Sequence, residues 1–247
     1  MDPLDQTLGR ISTATADGYG VIVRRRDGPG EGWFSAEELD GSGRVQALLL
    51  SRISGMAGPP EDHIRAEWLL ESLARTVGDL GSSFIVAAHR LPGLSPTNVL
   101  LAAEGGLVRA SGIASGDYFE SDRLDVLADR FRSGFLGLLE PTVEWLDGQG
   151  LRPAKTLWHS AADRLAQSLV WAGKAFDRPE LALELTMLAV GPESPDSRLA
   201  IEIRRAEDDW GEQYHVRNTC CLAYRTPGGD LCQSCPLSDS AAPPGRV

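Results

Sequence analysis

The chain has no cysteine before residue 220, little basic charge and no long hydrophobic run. Its 24 Lys and Arg residues face 35 Asp and Glu residues, and the net charge of −11 argues against nucleic-acid binding, because phosphate contacts need clustered cations. No apolar stretch approaches the roughly 20 residues that span a bilayer. The first residues, Met-Asp-Pro-Leu-Asp-Gln, lack the basic start and apolar core of a secretory signal. We therefore expect a cytoplasmic protein without a transmembrane segment.

All four cysteines lie in one short segment near the end of the chain, at Cys220, Cys221, Cys232 and Cys235. In a reducing cytoplasm such a group indicates metal binding rather than two disulfides. Four thiolates are the complement of one zinc ion or one iron–sulfur cluster. We therefore take these four cysteines as the candidate metal and cofactor ligands.

The spacing of the cysteines favours a two-iron cluster over zinc. Cys232 and Cys235 are separated by two residues, the common spacing for two ligands of one metal. Cys220 and Cys221 are adjacent, so their side chains point in different directions and reach one small ion awkwardly, whereas a [2Fe–2S] cluster spreads its four ligand positions more widely. The turn at 227–229 and the cationic Arg217 and Arg225 also suit an anionic cluster. A structural zinc site remains an open alternative.

The hydrophobic pattern predicts an α+β fold with a predominantly helical body and a small antiparallel sheet. The cysteine segment adds an expected C-terminal iron–sulfur cluster loop. The division we expect is a helical body over 1–196, a hairpin with the cysteine segment over 197–237 and a flexible tail over 238–247. The predicted helices are Glu61–Val77, Ser121–Leu139 with a stop or kink at Pro141, a helix from Pro153 to about Phe176, and Pro179–Val190. The predicted strands are Asn98–Ala103, Leu107–Ser111, Leu199–Ile203 and Tyr214–Arg217, with a turn over 208–211; Ser82–Leu91 is ambiguous.

No other group of residues in the sequence indicates a catalytic or binding site as clearly as the cysteines do. The four histidines are scattered without metal spacing, although His215 is close enough to Cys220 to contact the cluster region or relay a proton. Trp68, Trp158 and Trp171 fall at helical core spacing, which indicates packing. No nucleotide or flavin signature is present, so electrons would come from an external donor.

The cysteine segment resembles the ferric-siderophore reductase family (FhuF-like). The resemblance rests on the order Cys-Cys-x10-Cys-x2-Cys, its flanks Arg217-Asn-Thr and Cys232-Gln-Ser-Cys235-Pro-Leu, and the upstream segment around Leu157-Trp158 and Ala162-Asp163-Arg164. It implies that the four cysteines bind a [2Fe–2S] cluster that delivers one electron to a ferric siderophore, with the hydroxamate type favoured. It also implies an unidentified electron donor, such as a ferredoxin or a flavin reductase.

Two other functions remain open at this stage. The first is a non-enzymatic module in which an iron–sulfur cluster or zinc ion staples the C-terminal segment for redox sensing or partner binding. The second is an accessory protein of siderophore biosynthesis whose helical body binds a precursor.

Overall fold

The computed structural model describes residues 2–15, 23–26, 28–39, 42–51, 60–207 and 213–238. Its α-helices are α1 (Pro3–Thr15), α2 (Ser42–Leu50), α3 (Asp62–Ala88), α4 (Leu124–Gly148), α5 (Ala154–Ala175) and α6 (Pro179–Val190). Its strands are β1 (Val23–Arg25), β2 (Trp33–Ser35), β3 (Arg90–Pro92), β4 (Val99–Glu104), β5 (Leu107–Ile113), β6 (Tyr118–Glu120), β7 (Arg204–Glu207) and β8 (Gln213–Val216). The predicted α+β class, with a mainly helical body and a small sheet, is confirmed.

The longest helix, α3, is the centre of the fold because it is buried on most of its surface. It packs against α4, α5 and β5, and α1 also contacts it. The sequence predicted this helix only over Glu61–Val77. The helix instead continues through the ambiguous stretch to Ala88 and ends at His89, which adopts a left-handed φ of 54°.

Small residues along α3 allow the neighbouring helices to approach it closely. A Cβ atom at Gly81 would lie 2.2 Å from Cε2 of Phe131 on α4, and one at Gly78 would lie 2.9 Å from Oγ of Ser168 on α5. Phe131 is fully buried, so its ring has little space into which it could move. The close packing of the three helices therefore depends on the absence of side chains at these positions.

Four strands form a sheet beside α3 in the order β1-β5-β4-β2. β4 and β5 are the predicted hairpin, and Gly105 and Gly106 form its turn with φ values of 58° and 78°. β2 adds to this hairpin antiparallel and β1 pairs with β5 in parallel. β3 and β6 form a separate antiparallel pair at the end of α3.

Pro141 does not end α4, although the sequence predicted either a stop or a kink there. A proline inside a helix removes one backbone hydrogen bond. The buried Leu138 and Leu139 before it and Val143 and Leu146 after it anchor both parts of the helix in the core. Their burial offsets the local loss, so the helix continues to Gly148.

The prediction of a strand at Leu199–Ile203 is wrong. The strand that pairs with β8 is β7, which begins at Arg204. The alternation of apolar residues over 199–203 has a different cause: Leu199 and Ile201 insert into the helical core after α6, and the Ile201 amide donates to the Val190 carbonyl.

The predicted strand at Tyr214–Arg217 is confirmed as β8. The turn predicted over 208–211 and all but Ser238 of the predicted tail lie outside the described residues, and the proposed domain boundaries stay a prediction.

Replacing Gly81 by alanine tests the close packing around α3. We expect Gly81→Ala to lower the free energy of unfolding by about 1–3 kcal/mol, because the new methyl group overlaps the Phe131 ring in a filled core. Urea unfolding would measure the change. Gly137→Ala on α4 is the matched control, since nothing lies within 4 Å of a Cβ there. Because alanine has a higher helix propensity than glycine, Gly137→Ala should raise the free energy of unfolding by up to about 1 kcal/mol. Equal effects of the two substitutions would contradict the packing argument.

Candidate metal centre

The segment that leads from β8 to the cysteines is fixed by one buried carboxylate, that of Asp163 on α5. Its Oδ2 accepts hydrogen bonds from the Asn218 amide at 2.9 Å, the Thr219 amide at 2.9 Å and the Thr219 hydroxyl at 2.7 Å. Its Oδ1 accepts from the Asn218 side-chain amide at 2.9 Å. Because these donors belong to the two residues just before Cys220, the carboxylate sets the path of the chain into the cysteine segment.

His215 on β8 joins the same carboxylate from the other side. Its Nε2 lies 2.9 Å from Oδ1 of Asp163, and its Nδ1 lies 3.1 Å from the Arg204 carbonyl oxygen. Both neighbours are acceptors, so both ring nitrogens can donate only when the imidazole is protonated. The side chain is fully buried and does not contact a cysteine in the described structure. His215 therefore supports Asp163 rather than the cysteines directly.

Burial works to raise the pKa of Asp163, but the hydrogen bond and positive charge of His215, with the charge of Arg217, hold it below the usual value. The carboxylate is therefore an anion at neutral pH, as its several donors require.

A second buried network connects α3 with the residue that follows β8, Arg217. The guanidinium of Arg217 is 2% exposed, and it donates to Glu71 and lies 3.8 Å from Glu67, one helical turn earlier. Arg164 on α5 pairs with Glu71 at 2.6 Å, and Arg152 pairs with Glu67 at 2.9 Å. The sequence alone left Arg217 as a residue beside the cysteines; the structure shows that it is a buried ionic contact between the cysteine segment and the body.

The pKa values of the two glutamates in this network shift in opposite directions. Burial and the neighbouring charge of Glu71 raise the pKa of Glu67. Burial also acts to raise the pKa of Glu71, but the charges of Arg217 and Arg164 outweigh it and lower the pKa. Glu71 is therefore the principal counter-ion of Arg217.

At the surface of this network two of the four cysteines, Cys221 and Cys232, are in contact. Cys221 and Cys235 are buried, Cys220 and Cys232 are half-buried, and the Sγ atoms of Cys221 and Cys232 are 3.7 Å apart. The Arg217 amide donates to the Ser234 carbonyl at 3.0 Å, which ties the second cysteine pair to the end of β8. Among the described residues, no three His, Cys, Asp or Glu side chains are arranged to bind a single metal ion.

Backbone groups of the segment also face the sulfur atoms. The Leu222 amide donates to Sγ of Cys220 and the Leu237 amide donates to Sγ of Cys235, each at 3.4 Å. Leu222 adopts a left-handed φ of 61°, which turns the chain sharply after the adjacent cysteines. Trp68 on α3 donates from its indole nitrogen to the Cys221 carbonyl at 2.8 Å, so the helix also fixes the backbone of the first pair.

The environment of the thiols fits an anionic iron–sulfur group. The hydrogen bond with Cys221 lowers the pKa of Cys232 to about 7, while burial raises the pKa of Cys220. The hydrogen bond to Cys232 and burial raise the pKa of Cys221. The positive charge of Arg217 acts in the opposite direction on Cys220, Cys221 and Cys232. Its Nε and Nη1 are buried and have no hydrogen-bond partner in the described structure. These two unpartnered nitrogen donors, close enough to act on Cys220, Cys221 and Cys232, form a site that an anionic cluster with further sulfur acceptors would satisfy.

The other positively charged residue singled out in the sequence behaves differently. Arg225 is exposed and lies 3.7 Å from Glu61, so it is a surface residue. The sequence did not indicate Trp68, Glu67, Glu71 or Asp163 as parts of the site. For Glu67 and Glu71 the available signal was two polar residues one turn apart on an otherwise apolar face of α3. Asp163 lies in the segment that carried the family resemblance, but nothing there gave it a role at the cysteines.

Gly229 sets the shape of the loop between the two cysteine pairs. A Cβ atom at Gly229 would lie 2.0 Å from the Ala223 carbonyl oxygen, a backbone atom that cannot move away without shifting the loop. We expect Gly229→Ala to reduce the content of the expected [2Fe–2S] cluster per protein at least severalfold, as measured by iron and sulfide analysis and visible absorption. At Gly228 a Cβ meets open space and φ is 73°, which asparagine tolerates. Gly228→Asn is therefore the control and should keep its cluster; loss of the cluster in both variants would refute the assignment.

Replacing Asp163 tests the anchoring of the cysteine segment. Asp163→Asn removes the charge that pairs with His215 and disrupts a fully bonded buried network, so we expect stability to fall by about 3–5 kcal/mol. We also expect faster loss of the cluster during mild urea treatment, followed by its visible absorption. Asp125→Asn on the exposed first turn of α4 is the control and should change stability by less than about 0.5 kcal/mol. Equal cluster retention in the two variants would contradict the anchoring role.

Comparison with known proteins identifies the cysteine segment. Residues 217–237 match the family model described as the FhuF 2Fe-2S C-terminal domain. No curated protein matches the chain. In the part of the chain that the structure describes, none of the helices has the length and apolar character needed to span a membrane. The resemblance is thus confirmed over the cysteine segment: residues 217–237 match an FhuF 2Fe-2S domain, which makes this an iron–sulfur protein with a [2Fe–2S] cofactor.

Proposed function

We propose that this protein is a ferric-siderophore reductase in which Cys220, Cys221, Cys232 and Cys235 hold the [2Fe–2S] cluster. The observation that carries the proposal is the position of the cysteines. Cys221 and Cys232, from the segment that matches the FhuF domain, form part of the wall of a cavity of about 500 Å³. A ferric complex in this cavity would lie directly beside two of the proposed ligands.

The chemistry requires only the transfer of one electron. Siderophores bind Fe(III) through hard oxygen donors, and Fe(II) is a softer ion that such donors hold less firmly. When bound, the cluster supplies a one-electron couple to the site. The electron reduces Fe(III), and the iron leaves the siderophore as Fe(II). An external one-electron donor such as a ferredoxin or a flavin reductase then reduces the oxidised protein again.

The residues around the cysteines have distinct parts in this proposal. Arg217 places a buried positive charge next to the thiolates, and this stabilises the added negative charge of the reduced state. Glu71 holds the guanidinium in place. Asp163 and Trp68 fix the backbone on either side of Cys220, which keeps the thiols in position while the charge changes.

The proposal is tested by following the protein during a single turnover. The anaerobically reduced protein is mixed with ferric hydroxamate and ferric catecholate siderophores in a stopped-flow instrument, with a chromophoric Fe(II) chelator present. We expect oxidation of the protein and trapping of about one Fe(II) for each electron lost. The oxidised protein and a Cys232→Ser variant are the controls, and neither should release Fe(II).

Other outcomes of this experiment favour the competing functions. A protein that contains the cluster but releases Fe(II) no faster than the buffer is a sensing or binding module. A protein that binds siderophores without oxidising is an accessory of siderophore metabolism. The cytoplasmic location stays a prediction from the sequence.

A further inference from the structure

The cavity beside the cysteines lies between α3, β5, α5 and the cysteine segment. Its volume of about 500 Å³ is in the range of small-molecule sites. Trp68 and Arg75 line it from α3, Arg109 from β5 and Arg164 from α5, and Cys221 and Cys232 close one side. Aromatic and cationic side chains thus meet the sulfur atoms in one concave site.

Positive charge is concentrated in this cavity although the chain as a whole carries −11. Three arginines line it against two acidic residues, Glu71 and Asp79. Glu71 is already neutralised, because it pairs with Arg164 at 2.6 Å and with the buried Arg217 behind it. Burial raises the pKa of Asp79, with Arg75 acting in the opposite direction.

The three arginines differ in their freedom to bind a ligand. Arg164 is committed to Glu71. Arg75 lies 5.1 Å from the ring centroid of Trp171, and its Nε is 3.4 Å from Asp79, which leaves its terminal nitrogens available. Arg109 is exposed, and among the described residues it has neither an ion pair nor a hydrogen bond. An unpaired guanidinium at a cavity wall is suited to bidentate pairing with anionic oxygens.

We propose that this cavity binds anionic ferric chelates, whose outward catecholate or carboxylate oxygens pair with Arg109 and Arg75. The inference rests on the proposed reductase function and makes it more specific. The cysteine thiolates are themselves anionic, so a negatively charged complex needs cations beside them, and the arginines supply these. A neutral trihydroxamate complex offers no charge to Arg109. The structure therefore favours the anionic class over the hydroxamate class that the sequence resemblance favoured.

Binding is tested separately from reduction with gallium(III) chelates, which have the shape and charge of the ferric complexes but do not accept an electron. The ligands are a gallium tricatecholate, gallium citrate and a neutral gallium trihydroxamate, measured by titration calorimetry on the cluster-loaded protein. We expect Arg109→Gln to weaken tricatecholate or citrate binding about tenfold, the loss of one charge-assisted hydrogen-bond pair. Its effect on trihydroxamate binding should be less than about twofold.

Arg10→Gln is the matched control for this substitution. Arg10 is an exposed arginine on α1, it does not line the cavity, and its replacement should change no affinity. Arg109→Lys keeps the charge but not the planar fork and should recover only part of the affinity. Raising the salt concentration should weaken binding of the anionic chelates to the wild type.

The outcomes separate this inference from the proposed function. Equal affinity of wild type and Arg109→Gln for both anionic chelates overturns the inference, even if ferric siderophores oxidise the protein. Tighter binding of the neutral trihydroxamate than of either anionic chelate also overturns it. Selective loss of anionic binding in Arg109→Gln supports it, and does so even if the reduced protein fails to release Fe(II). In that last case only the reductase proposal falls.

Discussion

The carboxylate of Asp163 is the contact on which the cysteine segment depends. It collects donors from His215, Asn218 and Thr219, and all three lie within five residues of Cys220. The cysteine segment contains one short 3₁₀ helix (Ala223–Arg225) and turns but no hydrophobic core of its own, so its conformation must be imposed by the helical body. A buried anion surrounded by backbone and side-chain donors imposes it because each lost bond would leave a buried polar group unpaired.

A second set of charges makes the same connection on α3. Arg217 crosses from the cysteine segment to Glu71, and Arg164 completes the charge balance from α5. The body and the cysteine segment therefore share one buried network. The guanidinium nitrogens of Arg217 that lack a partner, and the backbone amides that donate to Cys220 and Cys235, both favour binding of an anionic iron–sulfur cluster. The site is built by α3 and α5 as much as by the cysteines.

The cavity extends this arrangement from the cofactor toward a substrate. Trp68 contributes to both, because its indole nitrogen fixes the Cys221 carbonyl while its side chain lines the cavity. Arg109 comes from the β4–β5 hairpin, whose strand β5 packs on α3. Residues far apart in sequence thus converge at one opening. This convergence is the physical basis for a selective site beside the cysteines.

The sequence by itself determined the helical class and the β4–β5 hairpin, because hydrophobic period is a local property. The order of its cysteines carried the resemblance from which the [2Fe–2S] cofactor was predicted. The sequence also predicted a strand over Leu199–Ile203, where alternation reflected insertion into the core instead of sheet pairing. Local pattern could not show that Asp163, Glu71 and Trp68 meet residues of the cysteine segment or that Arg109 faces the sulfurs' cavity. Those contacts join residues far apart in the chain, and only the packing of α3, α5 and the sheet decides them.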